Sequence, residues 1–202
     1  MSLLWAERAV DYVRTTVGML SNNRQYDQRI GDVNVGAARV EGYTRSSNAE
    51  ADEHKQLAAE ASAYVELKAG NCDEMAKAAF VWLAQHDEVR PLELAYFSSV
   101  QAAVNVRLFG TNDHEDVEPD HSFVIIGRQM GQAERRERQQ NIISMSAYST
   151  WNFGTVICDP WAKRAYMAHK LLIEAEMINR VTANRTQLSC SMRLEVGERW
   201  RG

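Results

Sequence analysis

An α+β fold is predicted for this chain by the order of its patterns. Helical periodicity dominates residues 3–20 and 49–86, apolar strand-like runs follow, and one late helical stretch precedes a last strand. A balance of 45% hydrophobic to 25% charged residues is that of an ordinary globular protein. The 202 residues are enough to bury one sizeable core, so a single domain over 1–202 is expected, with 1–68 as a helical N-terminal extension.

In residues 3–20, Leu3, Ala6, Val10, Val13, Val17 and Leu20 recur at spacings of three and four, which puts them on one helical stripe. Residues 21–47 are polar and rich in Asn, Gly, Arg and Asp, and read as loop, with a short strand available in VNVGAARVEGY. Residues 49–68 are rich in alanine and glutamate and read as a helix. The clearest helix is CDEMAKAAFVWLAQH at 72–86, with Met75, Ala79, Trp82 and Leu83 on its apolar face and Asp73 and Glu74 at its dipole-favoured start. Pro91 marks a break. LELAYFSS and AAVNVRLF then read as strands, TNDHEDVEPD as an acidic loop and HSFVIIG as a buried strand. Residues 129–141 read as an exposed polar segment, GTVICDP as a strand, KLLIEAEMINRV as a helix and TQLSCSMRLEV as the last strand. The order of helices and strands leads to helices packed on an antiparallel sheet.

Charge and composition exclude several classes of function. A net charge of -4 and a pI near 5.8 leave no basic footprint for nucleic acid. No run approaches the ~18 apolar residues of a membrane span. The first residues lack the charged start, apolar core and small-residue cleavage site of a signal peptide. Three cysteines, with no close pair, argue against a disulfide framework and a structural zinc site, and a reducing cytosol is the expected compartment. No metal and no cofactor is expected.

Three short segments carry chemistry: GlyAsnCysAspGlu at 70–74, AspHisSerPheValIle at 120–125 and ValIleCysAspProTrp at 156–161. Cys72 follows a glycine turn and opens a helix, where the dipole and free backbone N–H groups favour a thiolate. The same N–H groups suit a developing oxyanion, and Gly70 is expected to let a substrate backbone come close. His121 opens an apolar strand, so a base there is anchored in the core and faces a cleft. Asp159 ends another strand. If the two strands are neighbours, Asp159 orients the imidazole and His121 serves Cys72. Asn71 has two available roles, helix cap or oxyanion donor, and Trp161 three: shielding the His–Asp pair, lining the cleft or packing the core.

A glycine-x-cysteine opening an alanine-rich helix, a histidine leading a hydrophobic strand and a strand ending in Asp-Pro resemble the transglutaminase-like branch of the papain-fold cysteine enzymes. The resemblance covers about residues 69–166. It implies a papain-like fold with Cys72 as nucleophile, His121 as base and Asp159 as orienting carboxylate. Phe123 approximates the family's aromatic near the histidine. The implied activity is acyl transfer through a thioester, as glutamine deamidation or transamidation. A cysteine protease and a non-catalytic binding module on the same fold are the alternatives. The implied partner is a protein or peptide bearing a carboxamide. Small members of the family include bacterial effectors and toxins, which adds export into a host cell without a signal peptide as a second localisation. Oligomeric state stays open.

The remaining residues of these types carry bland expectations. Cys158 and Cys190 lie in strand patterns and are expected as inert buried thiols. Trp82 and Phe80 fit helix packing. His54, His86, His114 and His169 sit among polar neighbours and are expected at the surface. Asp113, His114, Glu115, Asp116 and Asp120 fit no calcium-loop spacing and read as a solvated acidic loop.

Overall fold

The apolar runs at the sequence positions expected for strands pair edge to edge into one antiparallel sheet, with helices against it. This is the arrangement in the computed structural model, which describes residues 2–29, 33–99, 121–132, 143–144, 150–171 and 186–202. The helices are α1 (Ser2–Asp11), α2 (Gln25–Gln28), α3 (Val35–Asn48), α4 (Glu53–Leu67) and α5 (Cys72–Ala84). The strands are β1 (Leu92–Ser99), β2 (His121–Ile126), β3 (Ile143–Ser144), β4 (Val156–Asp159), β5 (Arg164–Met167) and β6 (Thr186–Leu194). Among the described residues the sheet has six strands in the order β3-β6-β1-β2-β4-β5, and every neighbouring pair is antiparallel. An α+β class is therefore correct.

Strand periodicity divides the apolar residues between two faces. Leu92 and Leu94 of β1, Val124 and Ile126 of β2 and Val156 and Cys158 of β4 join the helix residues Ala6, Val13, Tyr64, Met75, Phe80 and Leu83 in one cluster. Ala95, Phe97, Phe123, Ile125 and Ile157 form a second cluster with Tyr166 and Leu171. In β6 a register shift opposite Leu94 and Ala95 inserts one residue. Leu188 and Cys190 consequently join the second cluster and Leu194 the first, although all three are even-numbered. α5 packs on β1 and β2, and α1 on β4 and β5. Residues of the N-terminal 68 share the core with the sheet: Ala6, Ala9, Val13, Met19, Ala38, Leu57 and Tyr64 belong to the same cluster as Phe80 and Val124.

The N-terminal third differs from expectation in two places. The first helix ends before Leu20. It closes through a π-helical turn, Tyr12–Thr16, and Gly18 then takes a left-handed φ of 76°. Leu20 instead bridges Ala69 in parallel, with Leu20 N donating to Lys68 O at 2.9 Å and Gly70 N to Leu20 O at 3.0 Å. The second correction is α3, in a segment expected as loop or strand. Asn34 caps it by accepting from Ala37 N at 2.9 Å. Its buried positions, Val35, Ala38 and Gly42, follow helical spacing, but three small contacts are too few to stand out in a polar composition.

Gly42 is required by packing against α4. A Cβ built there would lie 2.6 Å from Tyr64 Cε1, and the Tyr64 ring is itself 1% exposed. The strands expected at 102–109, the acidic loop at 111–120, most of 129–141 and the helix expected over 170–181 lie outside the described residues, apart from short flanks.

Gly42→Ala is expected to lower stability by about 1–3 kcal/mol through overpacking. Gly36→Ala on the same helix, where a Cβ would meet only Asn34 Oδ1 at 3.6 Å, is expected to be neutral or stabilising by up to ~1 kcal/mol. Urea unfolding of the two variants beside wild type checks both.

Candidate active site

The start of α5 decides which backbone donors are open. The N-cap and the first three residues of an α-helix carry N–H groups with no intrahelical partner. In α5 these belong to Asn71, Cys72, Asp73 and Glu74, because the first helical bond runs from Met75 N to Asn71 O at 3.0 Å. A capping box satisfies two of them. Asn71 N donates to Glu74 Oε2 at 2.7 Å, and the Asn71 side chain accepts from the backbone of Glu74. Glu74 is buried, and its other oxygen accepts from Arg39 Nε at 2.6 Å. The N–H groups of Cys72 and Asp73 remain at the positive end of the helix, and Cys72 itself is half-buried.

Gly70 is required by the chain's own packing. A Cβ there would lie 2.5 Å from Glu74 Cβ and 3.0 Å from Met19 Cε, so the close approach is to the chain's own capping residue.

His121 and Asp159 meet as the strand-end reading requires. β2 and β4 are neighbours, registered through Val124↔Cys158. His121 Nε2 lies 2.7 Å from Asp159 Oδ2, with His121 1% and Asp159 0% exposed. Asp159 Oδ1 accepts from Ala162 N at 3.0 Å, so both carboxylate oxygens are engaged. Burial alone would lower the His121 pKa. The charge and hydrogen bond of Asp159, followed by the neighbouring Cys72, outweigh it and raise it to about 10. Nδ1 of the ring is buried with no conventional hydrogen bond, and Cys72 is the second side chain that acts on the imidazole. The three residues singled out in the sequence are thus brought together.

Trp161 closes over the pair. It is 6% exposed and meets the His121 ring in a T-shaped arrangement, with centroids 5.6 Å apart. Its indole N–H donates to Asn23 Oδ1 at 2.8 Å, so it shields the pair while its own donor is engaged. The Arg24 guanidinium stacks 4.7 Å from the Trp161 ring. Asn71 turns its side-chain oxygen to Ser21, whose hydroxyl donates to Oδ1 at 2.7 Å. Asn71 therefore does cap the helix, and its Nδ2 has no hydrogen-bond partner among the described residues.

Ser21, Asn23 and Arg24 were invisible as site residues in the sequence, where they belong to a polar loop with no motif. Their turn is anchored by Asp27, fully buried, which accepts from Arg14 Nη2 at 2.7 and 2.8 Å and from Ser21 N at 3.1 Å. Burial alone would push the Asp27 carboxyl up; Arg14 and these hydrogen bonds hold it below the usual carboxylate range. A further tie joins the two elements of the site, from Ser122 Oγ to Asp73 Oδ1 at 3.4 Å, each residue one place along from His121 and Cys72.

Other expectations are settled residue by residue. Cys158 and Cys190 are buried at 0% and 1%, and burial pushes both thiols up. All three cysteines are free. Phe80 is fully buried, while Trp82 is half-buried and stacks on Tyr12. His169 is exposed. Two histidines are not at the surface. His54 is 6% exposed and stacks on Trp200, and His86 is half-buried between Trp5 and Trp82. Their polar sequence neighbours concealed apolar partners distant in the chain. His114 and its acidic neighbours, Asp120 included, lie outside the described residues, among which no metal-binding cluster occurs. No described helix is long and apolar enough to cross a membrane. A cavity of about 710 Å³ lies elsewhere, between α4 and β6 beside Lys77 and Arg193. Its walls include none of Cys72, His121 and Asp159.

Fold and site together define an α+β protein with a cysteine, a histidine and an aspartate gathered where a helix start meets two strand ends. Among protein-family models, curated proteins and solved structures, nothing matches the chain.

Iodoacetamide is expected to modify Cys72 before Cys158 and Cys190, read by peptide mapping; earlier modification of either buried thiol would contradict this exposure order. The His121–Asp159 pair also sets a pH dependence. The histidine pKa is raised from 6.5 to about 10, so the pair's contribution to stability is complete below pH 6.5 and is lost as pH rises through 10. The stability advantage of wild type over Asp159→Asn is expected to be largest near pH 6.5 and to shrink towards pH 10, measured by urea unfolding across that range.

Proposed function

We propose that the protein is a cysteine-dependent acyl-transfer enzyme acting on protein glutamine, in the manner of the transglutaminase-like branch of the papain-fold enzymes. The observation that carries this reading is the buried His121–Asp159 pair at 2.7 Å with the Cys72 thiol acting on the same imidazole. A half-buried thiol near the histidine favours an enzyme over a binding module, for which Cys72 would be buried and turned away.

In this reading the imidazolium stays protonated well above neutral pH, paired with Asp159, and supports a Cys72 thiolate. Sγ attacks the carboxamide carbon, a C–S bond forms, and negative charge collects on the former carbonyl oxygen. The open N–H groups of Cys72 and Asp73 stand where helix geometry provides donors for that charge. As the C–N bond breaks, His121 gives its proton to the leaving nitrogen and ammonia departs. The neutral imidazole then takes a proton from water as it attacks the thioester. The C–S bond breaks, returning the thiolate beside the protonated histidine and leaving a carboxylic acid that gives its proton to solvent as the carboxylate. An amine in place of water gives transamidation, and a peptide amide in place of the side chain gives proteolysis.

The test is mass spectrometry of glutamine-bearing proteins and peptides after incubation with the enzyme. A gain of about 1 Da on glutamine is expected, together with complete loss in Cys72→Ala. Chain cleavage at a peptide bond would replace glutamine chemistry with proteolysis. A mass change that persists in Cys72→Ala would remove the thioester mechanism.

A further inference from the structure

The turn at residues 21–24 reaches both flanks of the site. On one side Ser21 Oγ bonds Asn71 Oδ1 at 2.7 Å, one residue before the nucleophile. On the other, the Trp161 indole N–H donates to Asn23 Oδ1 at 2.8 Å and approaches Ser21 Oγ at 3.3 Å. Below, Asp27 holds Ser21 N, and Arg14 holds Asp27. The Leu20–Ala69 bridge fixes the strand-like approach to Asn71 from the same side.

The consequence for Asn71 is orientational. A side-chain amide has an oxygen that accepts and a nitrogen that donates. Two donors converge on the oxygen: the Ser21 hydroxyl and, in the capping box, the Glu74 N–H. The amide is thereby assigned and turned, with Nδ2 as its free end on the residue that precedes Cys72. Ser21 has one proton and two amide oxygens near its hydroxyl, those of Asn71 and Asn23, and Asn23 already receives the Trp161 indole proton.

We propose that Ser21 is a positioning residue that directs its proton to Asn71 Oδ1 and so aims Asn71 Nδ2 to join the Cys72 N–H in holding the oxyanion. This rests on the acyl-transfer reading of Cys72 and His121. It makes the turn at 21–24, from the N-terminal region, part of the active site: Ser21 acts through Asn71 and touches no substrate itself.

Two small reagents separate this role from the nucleophile's own. Iodoacetamide alkylates Sγ by displacing iodide and builds no oxyanion. p-Nitrophenyl acetate acylates Sγ through one: the S–C bond forms, the carbonyl oxygen becomes charged, and the bond from the acyl carbon to the phenolic oxygen then breaks to release p-nitrophenolate. The ratio of the acylation rate to the alkylation rate at Cys72, followed by intact mass and peptide mapping, reads the oxyanion donors. Asn71→Ser keeps a capping hydroxyl and removes the amide. It is expected to lower the ratio roughly tenfold or more. Ser21→Ala is expected to lower it in the same direction, and Ser21→Thr to restore it. An unchanged ratio in Asn71→Ser overturns the donor. A fall in Asn71→Ser with no fall in Ser21→Ala overturns the positioning role. A wild-type Cys72 that alkylates and does not acylate overturns the proposal entire. The underlying reading is checked apart from these outcomes: if His121→Ala leaves the alkylation rate of Cys72 as in wild type, it is the Cys–His assignment that fails.

Discussion

The structure of the site depends on one buried ionic hydrogen bond, His121 to Asp159. A carboxylate taken wholly out of water costs several kcal/mol unless its lone pairs are matched. Asp159 is at 0% exposure and meets this demand with two partners, the imidazole on Oδ2 and Ala162 N on Oδ1. The second bond tightens the turn that follows Pro160, and that turn lays Trp161 against the histidine ring. Trp161 then excludes water from the pair, which strengthens it, and needs a partner of its own for a buried indole N–H. Asn23 is that partner. Each step follows from satisfying the polar group buried by the step before.

The nucleophile is held by a different device. Cys72 is the first residue of α5, so its place on the backbone is set by where that helix begins. The capping box engages two of the four free N–H groups and leaves two beside the thiol. Arg39, from α3, secures the outer oxygen of Glu74 and so ties the helix start to the N-terminal helices. Gly70 lets the incoming chain lie on Glu74 and Met19, so the approach to the helix is as constrained as the helix. The packing of α5 on β1 and β2 sets the thiol's position relative to the imidazole, and the Ser122–Asp73 contact adds a polar tie beside it.

Half of this was legible in the sequence, for a physical reason. β2, β4 and α5 are dense apolar runs punctuated by glycine, proline and capping residues, and these local signals survive without tertiary context. Residues at the ends of such elements, Cys72, His121 and Asp159, inherit that legibility. α3 did not stand out because only Val35, Ala38 and Gly42 are buried, and a polar helix with so narrow a contact resembles a loop. β5 lacked a signal because RAYM is half exposed. The turn at 21–24 lacked one for another reason. Its contacts are between side chains 50 residues apart, Ser21 to Asn71, and 138 apart, Trp161 to Asn23. No periodicity records a pairing of that kind. Gly70 is a similar case: a glycine shows that something comes close, and only the tertiary structure shows that Glu74 and Met19 do.

The N-terminal residues are therefore energetically part of the site. Removing the turn at 21–24 would leave the Trp161 indole N–H buried without its acceptor, a loss of about 1–3 kcal/mol for an unmatched buried donor. It would also free Leu20 from Ala69 and release the strand that leads into Asn71. Helix start and strand ends would still be present, because their own packing makes them, but the amide beside the nucleophile and the indole above the base would each lose the contact that orients it. A site built from a helix terminus and strand ends has a seam between the two. In this protein the seam is closed by a short polar turn, whose serine reaches Asn71 and the Trp161 indole and whose asparagine accepts from that indole.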